Sequence, residues 1–435
     1  AAGFRDAGEA ISNLRHVAIS GDGRWAYVTH TRGRIVQPTT QLDRGWVNTN
    51  AFSIIDLQES RLTVSLLLDY VVEGAADPWG LAVSPDGKHM YVSVAGADQV
   101  ARIGLEDLHG LIDGTREPTG STEAFVGGSG TLWREAQQDR RKMLELVNYL
   151  NVLYGEGLIR RVDVPVRCPR GIAASPDGQR VAVAGYYGGG LVLLDPDTLN
   201  VAKQVHLGPE PAQTEARRGE SIFFDGQYCF QSWLSCGTCH PDGRADGLNW
   251  DLLNDGIGNP KNSKSLLWSD RTPPVMSLGV RASMEVATAK GFQFIQFTEV
   301  AEGDMDAVRQ YLRTMAREES PYLVNGELSE TALRGKVLFE SPEVGCANCH
   351  PAPLFTDMQM YDVGTRHELD RADAFDTPTL VEMWRSGPFL HDGSARTIMD
   401  VLTTHNPNDE HGRTTHLTDK ELDRKSTRLN SSHYS

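Results

Sequence analysis

Long apolar stretches are missing from this chain, and none approaches the ~18 residues that a membrane-spanning helix needs. An excess of basic residues is missing too. The net charge of −16 would repel a polyanion, so a nucleic-acid partner is not expected. An acidic surface suits a basic protein partner, such as a small electron carrier, and is equally a plain solubilising surface. The chain opens on Ala1 with no leader, as expected of a processed or shortened protein. Cysteine is scarce, with six residues in 435. Yet four of the six fall in two short segments, SCGTCHPDGR (235–244) and CANCH (346–350).

The first half is repetitive. HVAISGDGRWAYVTH (16–30), GLAVSPDGKHMYVSV (80–94) and GIAASPDGQRVAVAG (171–185) each place a Ser-x-Asp-Gly turn between two alternating apolar runs. That pattern predicts β-hairpins, with Asp-Gly supplying positive φ. FSIIDLQES (52–60) and LVLLDPDTLN (191–200) continue two of the repeats into a further strand. The expected unit is a four-stranded antiparallel sheet of about 40 residues, a propeller blade. The wording of the repeats, WAYVTH (25–30) above all, resembles the YVTN-type β-propellers over about residues 1–208. About three blades are visible where a closed ring needs at least four, so a partial propeller is expected. Residues ~131–155 read as a helical insertion between the second and third blades, with Leu144, Leu146, Val147, Leu150 and Leu153 at helical spacing.

Past GPEPAQ (208–213) the pattern turns helical and repeats once more. Arg218-Gly219-x-x-x-Phe223 precedes the first Cys pair, and Arg334-Gly335-x-x-x-Phe339 precedes the second. Ser329 is the expected N-cap of the latter helix. Residues 301–316, with Val308, Tyr311, Leu312 and Met315 inward, close the first unit. Two all-α cytochrome c-type domains are expected, at 209–320 and 321–423. The Ser/Arg/Asn-rich end, 424–435, reads as a non-native tail and is set apart.

Cys236, Cys239 and His240, and again Cys346, Cys349 and His350, have the spacing of a c-type haem attachment site. Two thiols at i and i+3 share one side of a helical turn and can join the two haem vinyls, and the following imidazole is aimed at the iron. A zinc site would draw four ligands together, whereas these pairs lie 110 residues apart and each has its own His. Two covalently bound haems c are therefore expected, which places the protein in the periplasm or outside the cell. Cys168 and Cys229 fit buried thiols or a disulfide. No His lies between His240 and His350, so an open sixth position on the first iron is expected, with Met276 or Met284 as the alternative.

The two haem motifs together with FDTPTLVEMWRSGPFLHDGSARTIMDVLTTHN (375–406) resemble the bacterial dihaem cytochrome c peroxidases and their MauG-like relatives over about 214–423. The resemblance implies several roles. The residue fourteen positions after His391 is the distal ligand of the second haem, here His405, and His391 itself is a supporting residue between the domains. Replacing the family's Met by His implies a lower potential. Arg281 matches the pocket Arg, and Glu285 or Glu299 the pocket acid. The family's Trp between the haems falls on Leu278. Calcium is a further candidate cofactor, bound through backbone oxygens of Ser386 and Pro388, although the family's Asn ligand falls on Arg271. DGRADGLNWDLLND (242–255) reads as a solvated loop. The implied activity is reduction of hydrogen peroxide or a similar oxidant, with a cytochrome c or cupredoxin as electron donor. A non-catalytic electron-transfer module, or a MauG-like oxidase with the propeller as docking surface, stands beside it. The blades show no His/Asp/Glu cluster of a lactonase-like metal site.

Overall fold

The computed structural model describes residues 9–35, 47–122, 128–209, 212–254, 256 and 258–430. Residues 431–435 of the tail, 210–211 of the boundary segment and Asp255 of the 242–255 stretch lie outside them. The chain divides into two compact units, 1–238 with 296–300 and 239–295 with 301–435.

The first unit holds three antiparallel four-stranded meanders. They are β1 (Glu9–Ile19), β2 (Trp25–Arg34), β3 (Asn48–Asp56) and β4 (Arg61–Leu67); β5 (Pro78–Val83), β6 (His89–Val94), β7 (Gln99–Gly104) and β8 (Ile159–Asp163); and β9 (Arg167–Ala174), β10 (Val181–Tyr187), β11 (Gly190–Leu194) and β12 (Val201–His206). The first hairpin of each sheet turns in the same way. The amide of Gly23, Gly87 or Gly178 donates to the carbonyl of Ser20, Ser84 or Ser175 at 2.9 Å in every case. The Ser hydroxyl donates to the carboxylate two residues on. Each glycine takes φ near +70°, a region closed to most side chains.

Helices α1 (Leu105–Asp113), α2 (Ser129–Gln138) and α3 (Arg140–Glu145) lie between β7 and β8, inside the second sheet. The expected insertion between the second and third repeats is thus corrected. The closing strand, IRRVD, is too short and too charged to announce itself, and its partner β7 precedes the helices. Leu146, Val147, Leu150 and Leu153 are buried as expected, but Leu144 faces solvent.

The first unit does not stop at residue 208. After α4 (Glu215–Phe223, capped by Thr214), residues 225–238 pack against the first two sheets. Trp233, Leu234 and Cys229 form one apolar cluster with Ala51, Leu67, Val147 and Leu150. A Cβ on Gly74 would lie 2.4 Å from Trp233 Cα, so only glycine permits this approach. The Gly74 and Ala76 amides donate to the Gln231 and Ser232 carbonyls. Asn50 Nδ2 donates to the Trp233 carbonyl, 3.0 Å.

Helix α5 (Cys236–Cys239) spans the division between the units. The second unit continues with the ribbon β13 (Asn249–Trp250) and β14 (Lys261–Asn262), then α6 (Met284–Phe294), α7 (Glu302–Arg313), α8 (Glu330–Glu340) and α9 (Cys346–Cys349). A second ribbon, β15 (Met360–Tyr361) and β16 (Phe375–Asp376), leads to α10 (Ile398–Leu402) and α11 (Asp419–Asn430). Ser329 caps α8 as expected, accepting from the Ala332 amide. Val308, Leu312 and Met315 are buried, and Tyr311 is partly buried. An internal duplication shows in one turn. Val275 bridges Arg281 before α6, Phe389 bridges Ala395 before α10, and Ser283 and Thr397 cap the two helices. Phe339, Leu380, Ile398, Leu402, Leu422 and Leu429 form the second core. Helix α11 runs through position 424, so part of the presumed tail is structured. Lys425 there is fully buried and its Nζ has no hydrogen-bond partner among the described residues.

Candidate haem sites

Both Cys-x-x-Cys-His segments form a single helical turn, and none of their four cysteines is in a disulfide. Each His leaves that turn with its Nδ1 held by a backbone carbonyl. His240 donates to Arg244 O and His350 to Phe355 O, both at 2.9 Å. A carbonyl can only accept, so Nδ1 carries the proton and the Nε2 lone pair is left for a metal. Burial lowers the pKa of both imidazoles, which keeps them in the neutral, ligating form. Among the described residues no group of three or more His, Cys, Asp or Glu is gathered to hold a bare metal ion. A haem iron, ringed by its porphyrin, asks the protein for only one or two ligands. The residues present fit haem c.

Arg244 does more than orient His240. Its guanidinium lies against Glu382, with Nε at 2.7 Å and Nη2 at 3.1 Å, and Nη2 also reaches the Ala316 carbonyl. Glu382 is 2% exposed and takes two further donors, Arg385 and the Glu318 amide. Burial alone would raise its pKa, but the hydrogen bonds from Arg244, Glu318 and Arg385 and the Arg244 charge hold it below its ordinary value. Arg244 and Trp250 are buried, which corrects the solvated reading of 242–255. The charge of Arg244 and the indole NH of Trp250 both find inward partners, Glu382 and Asp246. Asp246 also donates its amide to the Cys239 carbonyl, and burial pushes its carboxyl up to about 7.

The expected pocket residues have other partners. Glu285 pairs with Arg313 at 2.6 Å, and hydrogen bonds from Ser283 and then Arg313 keep its pKa low. Arg281 reaches Asn254 Oδ1 at 3.4 Å. Glu299 is exposed. Met284 is buried within α6, and its sulfur meets the Thr288 hydroxyl at 3.6 Å. Cys168 and Cys229 are both buried free thiols, raised to about 11 by burial.

Around the second segment, His391 is buried and its Nε2 lies 2.8 Å from Asp370 Oδ2, with its ring stacked on Phe375. Asp370 also accepts from the His367 amide, Asn259 and Lys261, and these bonds overcome burial to hold it well below the carboxylate range. His405 is partly buried, and its amide donates to the Asp400 carbonyl.

Two residues that sequence reasoning passed over enter here. His411 is pushed down to about 4, by burial first and then by the charge of His350. Its Nδ1 is buried without a hydrogen-bond partner. Its loop is pinned by buried Asn406, whose amide reaches the His411 and Gly412 carbonyls, and a Cβ on Gly412 would lie 3.4 Å from Cys346 Sγ. The spacing His405-Asn-x-x-Asp409-x-His411 was the available signal. The second is Asn262. Its Nδ2 donates to the Pro388 carbonyl at 2.6 Å and its Oδ1 is buried without a partner. The Pro388 carbonyl that the resemblance assigned to calcium thus accepts from the Asn262 amide. Arg271 stacks on Trp268.

No family model matches the chain. It is 31% identical over 261 residues to hydrazine synthase subunit gamma of Kuenenia stuttgartiensis, covering 47% of this chain and 74% of that protein. It is 26% identical over 240 residues to the methylamine utilization protein MauG of Methylophilus methylotrophus, covering 43% and 71%. A solved structure of Kuenenia stuttgartiensis hydrazine synthase under xenon shares 30% identity over 51% of this chain and 89% of that one, with a TM-score of 0.48. The chain belongs to the MauG-like dihaem family, together with hydrazine synthase subunit gamma. That membership makes haem c the cofactor and redox chemistry the class of function. Among the described residues no helix is long and apolar enough to cross a membrane.

Proposed function

We propose that the protein is a periplasmic dihaem c-type oxidoreductase of the peroxidase kind, carrying part of a β-propeller in its three meanders. The observation that carries this reading is the pair of helical Cys-x-x-Cys-His turns, each with its imidazole locked for ligation. Cys236, Cys239 and His240 hold the first haem, and Cys346, Cys349 and His350 the second. Haem iron supplies one-electron chemistry and, where one axial position is open, a place for a small oxidant. Glu285, whose pKa is held low by hydrogen bonds from Ser283 and Arg313, and the exposed Glu299 are the candidate proton carriers. His350 and a second imidazole would hold the second haem, which would suit that site to accepting electrons from a small cytochrome c or cupredoxin.

His405 is the distal ligand that the family register implies. A second reading assigns that place to His411, because its loop packs against Cys346 and its buried Nδ1 has no hydrogen-bond partner among the described residues. Electron paramagnetic resonance of the oxidised holoprotein separates the two. Only the variant that removes the true ligand, His405→Ala or His411→Ala, turns the low-spin signal of the second haem high-spin. Peroxide, hydrazine and cyanide are then added in turn. A spectral shift confined to one haem supports the enzyme, and two inert haems reduce the protein to an electron relay.

A further inference from the structure

We infer that Asp77, in the loop joining the first two sheets, is a positioning and charge-setting residue for the first haem. This rests on the reading that Cys236 and Cys239 carry that haem. Residues Ser235 and Thr238 bracket Cys236, and their side chains are 0% and 1% exposed. Both hydroxyls donate to one carboxylate, Ser235 Oγ to Asp77 Oδ2 at 2.6 Å and Thr238 Oγ1 to Asp77 Oδ1 at 2.8 Å. Thr238 Oγ1 in turn accepts from the Ser235 amide at 2.9 Å, which closes the first turn of α5 on the carboxylate. Asp77 is itself fixed by its amide, which donates to Asn50 Oδ1 at 3.1 Å, and by a left-handed backbone at φ 54°. Asn13 Nδ2 adds a bond to the Thr238 carbonyl. The haem-attachment turn is therefore seated on side chains of the first two sheets.

The carboxyl group is buried, which raises its pKa, so its charge persists only with compensation. Besides the two hydroxyls, the charges of Arg15 and Arg170 act on it. These two guanidinium groups stack on Trp79, at 4.1 and 4.0 Å from its ring, two residues along from Asp77. Trp79 thus holds two cations in place behind one anion. A fixed negative charge beside the attachment turn favours the ferric over the ferrous iron and lowers the potential, while a fixed positive charge does the reverse.

The test is a redox titration of the doubly haem-loaded protein, with each haem followed by its own resonance signal. Asp77→Asn keeps the shape and removes the charge. The first haem becomes easier to reduce by on the order of tenfold in its equilibrium constant, about 59 mV for one electron, and the second does not move. Arg170→Gln shifts the first haem in the opposite direction. A purely structural role would not give opposite signs. Thr238→Val, which keeps the charge and removes one donor, changes the g values of the first haem alone. If Asp77→Asn does not accumulate, Arg170→Gln and Thr238→Val decide. The inference is overturned if the first haem is unmoved in the variants obtained, or if both haems move together. Mass spectrometry of the wild-type peptide containing Cys236 separates this outcome from failure of haem attachment.

Discussion

The interior ion cluster around Glu382 makes the sharpest stability prediction. Glu382→Gln is nearly isosteric and removes only the negative charge. In the native protein that charge faces Arg244 at 2.7 Å and Arg385 at 2.6 Å, with side-chain exposures of 3%, 10% and 21%. Deleting one partner of a buried pair strands the other, at a cost of about 3–5 kcal/mol. The folding equilibrium should fall by at least a hundredfold, since ~1.4 kcal/mol is a factor of ten. The pH dependence has a definite sign. The folded pKa of Glu382 lies below its ordinary value of 4.5, so its contribution is full above that value. It is lost as pH falls through the lowered folded value, and the gap between variant and wild type then closes. Urea unfolding of the haem-loaded protein near neutral pH, followed by Soret absorbance, measures the cost. The first haem's spectrum should change as well, because the Arg244 carbonyl orients His240. A variant within about 0.5 kcal/mol of wild type, the range of ordinary surface substitutions, would refute the reasoning.

Other outcomes are expected. Asp246, raised to about 7 by burial, is protonated in the fold while its unfolded counterpart ionises near 3.8. Wild type should therefore lose stability between about pH 4 and pH 7, by up to ~1.4 kcal/mol per unit, and Asp246→Asn should flatten that slope in urea titrations. Lys425→Leu should raise stability by roughly 2 kcal/mol or more, because it replaces a fully buried amine that has no hydrogen-bond partner by a side chain suited to the surrounding core. No gain in the unfolding midpoint would show that the amine has a partner when haem is bound. Trp233→Ala should cost about 3–5 kcal/mol through the cavity left between the sheets and the attachment segment, read by calorimetry.

What could be read from the sequence was local. The Ser-x-Asp-Gly turns, the Ser329 cap, and the Cys-Cys-His order each depend on residues within a few positions of one another. The place of the helical insertion could not be read, because β8 is defined by β7 across some fifty intervening residues. The partners of the site were hidden for the same reason. Asp77 meets Ser235 and Thr238, Arg244 meets Glu382, and Asn262 meets Pro388, each pairing joining residues more than a hundred positions apart. The family register placed His405, whereas His411 became visible only when its loop was seen against Cys346.

The glycine at position 74 and the buried hydroxyls at 235 and 238 also constrain the order of events during biogenesis. Once the sheets close over residues 231–238, one side of the first attachment turn is walled off. Joining of porphyrin to Cys236 and Cys239, as proposed above, would therefore have to precede that closure.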